Sequence, residues 1–153
     1  MSSRTDMLDE LVLRLLEIDG TPDYNYTNRK ASWKTFKLPD TTQHFPETYV
    51  LVDDSSMVGG QIGTNNQMDV IPVLIWGYVK AKVEVQLVAE NFLADIAKGI
   101  ALHRSTGNVD MSLNNTCGAF MIAGKGISGD LTSELRTVEL LLNVTMHTPI
   151  QTI

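Results

Sequence analysis

Four groupings of residues in this chain have the types that chemistry uses. Gly124–Lys125–Gly126–Ile127–Ser128–Gly129 matches G-x-G-x-x-G, the spacing that lets a backbone approach a pyrophosphate. That fingerprint needs a strand before it and a helix after it, and here an alternating strand pattern follows, so the motif reads as a flexible hairpin loop. Cys117, the single cysteine, would need a nearby histidine to serve as a nucleophile. His44, His103 and His147 are scattered over a loop, a helix end and a strand end, and His103 suits the negative end of a helix dipole without any catalytic purpose. A partly buried, inert thiol is the expected state of Cys117. Asp53–Asp54, followed by Ser55–Ser56 and later Asp69, offers the oxygens a hard cation wants. Adjacent residues on an extended chain point to opposite faces, however, and no spaced ligand set completes a site, so a solvated strand end is expected. Lys30, Lys34 and Lys37 interleave with Tyr26, Trp33 and Phe36, a pattern used on nucleic-acid surfaces. In a chain of net charge −6 the same pattern fits an exposed strand face, or a protein interface with aromatic anchors. The chain is therefore expected to be no enzyme, with no catalytic, cofactor-binding or metal-binding residues.

The elements that position these residues are organised around Met68 to His103. The run MDVIPVLIWGYV is apolar at both parities, with Met68, Val70, Pro72, Leu74, Trp76 and Tyr78 on one face and Ile71, Val73, Ile75 and Val79 on the other. Such a strand is covered on both sides. Behind it, Val85, Val88, Ala89, Phe92, Leu93, Ile96 and Ile100 recur at helical spacing, while Glu84, Glu90, Asp95 and Lys98 fall mostly off that stripe. A first helix opens at a capping box of Ser3 and Asp6. It continues through Met7, Leu8, Leu11, Val12, Leu15, Leu16 and Ile18, and Gly20 is expected as its C′ residue. Residues 23–46 hold one possible short strand, in ASWKTFKL. YVLV at Tyr49–Val52 is a second strand, and Met57 to Gln67 reads as a mobile loop or hairpin connection. After the second helix, one strand is expected around Gly118 to Ala123. The last segment alternates cleanly, with Val138, Leu140, Leu142, Val144 and Met146 on its buried face. This order implies one α+β domain over residues 1–153: two layers, a mostly antiparallel sheet with two helices packed on one face.

The totals narrow the function classes. At 153 residues, one core is expected. Net charge −6 argues against non-specific attraction to nucleic acid or anionic membrane. No apolar run approaches the roughly 20 residues that span a bilayer. MSSRTDMLDE has no apolar leader core, and a single cysteine fits a reducing compartment, so a soluble protein made in the cytoplasm is expected.

Pro72 adds a conflict. A proline cannot donate to a ladder, which points to an edge strand or a bulge, yet both faces around it are apolar. A neighbouring subunit covering the second face would reconcile the two, so homo-oligomerisation is expected. The alternative is a bulge at Pro72 with a loop over that face.

Three stretches carry a family resemblance: DMLDELVLRLLEIDG, HFPETYVLVDD and AENFLADIAKGIAL, the last containing Leu93–Ala94–Asp95–Ile96. With the closing alternating strand, their order resembles the tail terminator (tail completion) proteins of long-tailed bacteriophages and the related neck proteins. The likeness covers most of the chain; the Gly118–Gly129 stretch has no counterpart in it. It implies a structural virion protein that forms a six-fold ring at the head-proximal end of the tail. There the ring would contact itself, the tail tube protein and the head–tail connector or neck protein, with DNA only passing through the lumen and no membrane contact. Met68, Val70, Ile71, Pro72 and Val73, with Trp33 and Phe36, are the expected oligomer interface. Met57, Ile62, Asn65, Lys125 and Ile127 mark loops expected to order on assembly. A neck or head-completion protein and an oligomeric small-ligand-binding module are the alternative readings.

Overall fold

The central apolar run becomes the strand against which the rest is laid down. In a computed structural model, residues 4–20, 22–38, 44–53, 58–62 and 66–149 are described. The order is α1 (Arg4–Leu16), β1 (Ala31–Ser32), β2 (Glu47–Val52), β3 (Val58–Ile62), β4 (Asn66–Lys80), α2 (Val85–Ala101), β5 (Ala119–Ser128) and β6 (Leu135–Pro149). The strands form a single sheet in the order β1-β2-β4-β6-β5, with β3 pairing β4 beyond the end of β2. Every pairing is antiparallel except the two-residue parallel contact of β1 with β2. The α+β expectation holds.

Register decides which residues share a face. Ile71, Val73, Ile75 and Gly77 of β4 sit opposite Val144, Leu142, Leu140 and Val138 of β6. Val50 of β2 and Phe120 of β5 fall in the same rows. This face is buried under Met7, Leu8, Leu11 and Leu15 of α1 and Ala89, Phe92, Ile96 and Ile100 of α2. Gly77 is what lets α2 close on β4. A Cβ there would lie 2.8 Å from both a Phe92 ring carbon and a Val138 methyl, closer than any side chain tolerates.

Pro72 is neither on an edge nor bulged, which corrects the sequence expectation. It lies opposite Asn143 in mid-sheet, in a strand flanked on both sides. Its carbonyl accepts from the Asp53 N–H at 3.0 Å. In an antiparallel strand a residue's N and O point to the same side, so the missing donor also faces the β2 side. There β2 has just ended at Val52 and β3 begins its pairing only at Val70. The proline falls where the ladder is already broken.

Of the two readings of Met57 to Gln67, the hairpin connection is the one found, with Val58–Ile62 (β3) paired back on β4. Two further expectations change. The glycine-rich motif is no loop: β5 runs unbroken to Ser128, with a register shift between Ile122 and Gly124. Gly20 does have positive φ (86°), but four residues past the end of α1, in a turn closed by the Asp19–Thr27 bridge rather than as a helix cap. Ser3, Asp54, Met57 and Asn65 lie outside the described residues.

Candidate assembly surface

The outer face of the sheet, opposite the helices, carries Val70, Pro72, Leu74, Trp76 and Tyr78 of β4 between Tyr49 of β2 and Leu141 of β6. A chain segment closes one part of it. After β1, the Trp33 indole N–H donates to an Asp9 carboxylate oxygen of α1 at 2.8 Å, on the helix side of the sheet. Three residues later, the Phe36 ring stands edge-on to Tyr49 and to Trp76, each at 5.5 Å, on the outer side. The Tyr78 hydroxyl then donates to the Lys37 carbonyl at 2.9 Å. Residues 33–37 thus wrap the β2 edge as an aromatic strap. Tyr49 packs on Tyr78 and donates from its hydroxyl to Glu47 Oε2 at 2.8 Å. Burial, and then the Glu47 charge, push the Tyr78 phenol up to about 12.

The strap leaves the other half of this face open. Leu74 and Leu141 are half-buried, Met121 of β5 is 68% exposed, and Gly126 has open space above its Cα. β5 is also the end strand of the sheet, laddered with β6 alone; its Phe120 N–H bonds to the Met111 carbonyl of the preceding loop at 2.9 Å, and Lys125 is its single charged residue. A ten-residue edge with so little charge is the feature that natural sheets usually blunt.

The expected interface residues therefore divide. Ile71 and Val73 face the helices and are buried in the chain's own core, which corrects their assignment to a surface between subunits. Pro72 is buried on the outer face and Val70 half-buried there. Trp33 and Phe36 sit on opposite sides of the sheet, joined by the strap. The backbones of Ile62 and Met68 are paired in β3 and β4. Lys125 is exposed on β5, and Ile127 is half-buried against the core.

Two polar constellations were not expected from the sequence. Arg14, fully buried, donates from Nε to Glu10 Oε2 (2.9 Å), from Nη1 to the carbonyls of Ile100 and Asp110 (2.8 Å each), and from Nη2 to Asp110 Oδ2 (2.7 Å). Arg104 closes on the other side of Glu10 at 2.9 Å. Burial alone would raise both carboxyls. Hydrogen bonds from Arg104 and Arg14 outweigh it at Glu10. At Asp110 those from the Ser112 hydroxyl, the Asn114 N–H, Arg14 and the Ser112 N–H do the same, holding it well below the usual carboxylate range. Asp95, placed off the apolar stripe by its spacing, is buried: its carboxylate accepts from the backbone N–H groups of Asn25 and Tyr26 and from Asn25 Nδ2, each at 3.0 Å. Both clusters clamp loops onto helices. The signal for the first was present in the sequence, since Glu10 and Arg14 are spaced i,i+4 and Arg14 lies seven residues after Met7, on the buried stripe.

The chemical candidates resolve differently. Cys117 is half-buried with Sγ 3.3 Å from the Ser112 carbonyl, and burial, then the Asp110 charge, push its thiol up to about 11, the reverse of what activates a nucleophile. His103 faces Asn114 and Ser105. Asp53 and Asp69 are tied into the β2 end and the β3–β4 pairing. Among the described residues no cluster of three or more His, Cys, Asp or Glu could hold a metal, and no helix is long and apolar enough to cross a membrane.

No protein-family model matches the chain, and no curated protein matches it in sequence. Among solved structures, the chain is similar to one from the virion of a native gene transfer agent (GTA) particle, with a TM-score of 0.50 and 11% identity. The likeness covers 88% of this chain and 84% of that one, and at this identity it establishes a shared fold.

Proposed function

We propose that this chain is a structural subunit of a phage-like virion. More specifically, we read it as a protein that forms a ring at the head-proximal end of the tail, ends the tail tube and joins it to the head connector. A neck or head-completion role at the same junction is the nearest alternative. The observation that carries the reading is the extent of the fold likeness to a virion chain, which takes in nearly the whole of both chains and so exceeds a shared local motif. The resemblance of α1, the β2 region and α2 to tail terminator proteins points the same way. The support from Pro72 is gone; what replaces it is the half-open part of the outer face, where Leu74, Leu141 and the exposed Met121 lie among Glu139, Asn143 and Thr145, beside the end strand β5. A mixed surface of that kind next to a strand edge suits contact with other chains. The raised Cys117 thiol runs against the enzymatic alternative.

The test is native mass across a concentration series, with negative-stain imaging of the same fractions, alone and with the tail tube protein. Closed rings are the expected result. A chain that remains monomeric in both conditions overturns the reading. A second reading rests on a groove of about 430 Å3 between the start of α1 and β2, lined by residues such as Leu8, Trp33 and Val52. Its size suits a small ligand, and a rise in melting temperature with one metabolite and no ring formation would favour it.

A further inference from the structure

The charge of this chain is segregated. Arg29, Lys30, Lys34 and Lys37 fall within nine residues that contain no acidic side chain, in a protein whose net charge is −6. None of the four makes a salt bridge among the described residues. Lys34 rests over the ring of its own neighbour Trp33, and the strap carries Phe36 (40% exposed) and is followed by Leu38 (57%). The segment starts beside α1, where Asn28 bonds to Ile18 and Trp33 to Asp9, and only from Phe36 does it reach the outer face; in the helix layer, α1 exposes Leu13 (42%) and Leu16 (46%). Glu17, Asp19 and Asp23 follow immediately, all exposed and none in a salt bridge among the described residues. The nearby cations are already engaged, Lys98 with the Asp23 carbonyl and the Tyr24 ring, Arg104 with Glu10. The field there is negative: after burial, the charges of Asp23, Asp19, Asp95 and Glu17 all raise the Tyr24 phenol.

We propose that the strap of one copy docks on the Leu13–Asp23 surface of the next copy, setting Lys34 and Lys37 against Glu17 and Asp19 and the exposed Phe36 and Leu38 against Leu13 and Leu16. This deepens the ring reading and rests on it. Phe36 and Lys37 lie on the outer side of the sheet and Leu13 to Asp23 in the helix layer, so the two patches are distinct surfaces, which a head-to-tail contact joins at every interface, closing into a ring where the rotation between copies closes. A two-fold contact through the strap would instead oppose cations to cations, which costs association. The charge pattern thus selects a head-to-tail over a two-fold arrangement.

The test is charge exchange. Two full-length variants, Lys34→Glu with Lys37→Glu and Glu17→Lys with Asp19→Lys, are compared with the parent chain by native mass and sedimentation, with melting curves to confirm folding. Each variant alone is expected to associate at least about tenfold more weakly than the parent. Mixed in equal amounts, they are expected to recover oligomers that contain both chains, because each mixed contact restores opposite charges. Parent association is also expected to weaken as salt rises. If the parent forms rings and neither variant changes them, or if the mixture associates no better than its parts, the docking is wrong and the ring reading stands. If the parent never associates, alone or with the tail tube protein, both fall.

Discussion

The two faces of one sheet are built on different rules. On the helix side, the rows of β4 and β6 from Ile71–Val144 to Gly77–Val138 are apolar on both strands, and even the charges nearby are enclosed: Arg14, Glu10 and Asp110 satisfy one another and the ends of neighbouring elements. On the outer side, a five-residue strap supplies the cover among the described residues, and Met121 of β5 is left exposed. The first arrangement makes the monomer stable; the second leaves surface that a monomer does not need. Stability and assembly are thus separable, and substitutions can be chosen to strike one and spare the other.

The sharpest break is Arg14→Ala, which removes the cation from half-buried Asp110 and leaves buried Glu10 with Arg104 alone, and is expected to cost about 3 kcal/mol in urea unfolding. A loss below about 1 kcal/mol would mean that water replaces the guanidinium and reaches the helix side of the sheet. Next, Asp95→Ala removes the acceptor for two backbone N–H groups and is expected to cost about 1–3 kcal/mol. Faster amide exchange at Asn25 and Tyr26, with α2 unchanged, would locate the effect in the clamp.

The same network sets the response to acid. Glu10 and Asp110 have folded pKa values below their ordinary ones, so their stabilisation is complete above the unfolded carboxylate range of about 4 and is lost as pH falls beneath it. Urea midpoints are expected to hold from neutral pH to about 5 and drop below about 4, with a shallower drop in Asp110→Asn. An identical slope in that variant would assign acid sensitivity to other groups. The smallest expected effect on folding is on the outer face: Met121→Ser should change monomer stability by no more than about 0.5 kcal/mol. If it leaves assembly unchanged as well, Met121 lies outside the contact.

Periodicity made the main elements legible. The spacing of Phe92, Ile96 and Ile100, the alternation from Val138 to Met146 and the two-sided apolar run of β4 each report burial directly, because the side-chain period is fixed by the backbone. Local pattern misled where composition and pairing disagree. Gly124 and Gly126 look like a loop, yet β6 offers a full ladder of donors and acceptors, and pairing with it outweighs the low strand preference of glycine. Leu16 fits the apolar pattern but is exposed, while Arg14 takes the inward position. That exchange is affordable only because Glu10, Asp110 and the Ile100 carbonyl converge on the guanidinium from three parts of the chain.

The sequence by itself determined two helices, the strands that bury one face, their class and the crowding of cations into residues 29–37. Only the tertiary structure decided that Pro72 sits where two partner strands leave a gap, that Asp95 faces inward, and that the strap, starting beside α1 at Trp33, carries Phe36 and Lys37 to the outer face. Those outcomes depend on which distant segments meet, and a period of two or of 3.6 residues carries no information about distant neighbours.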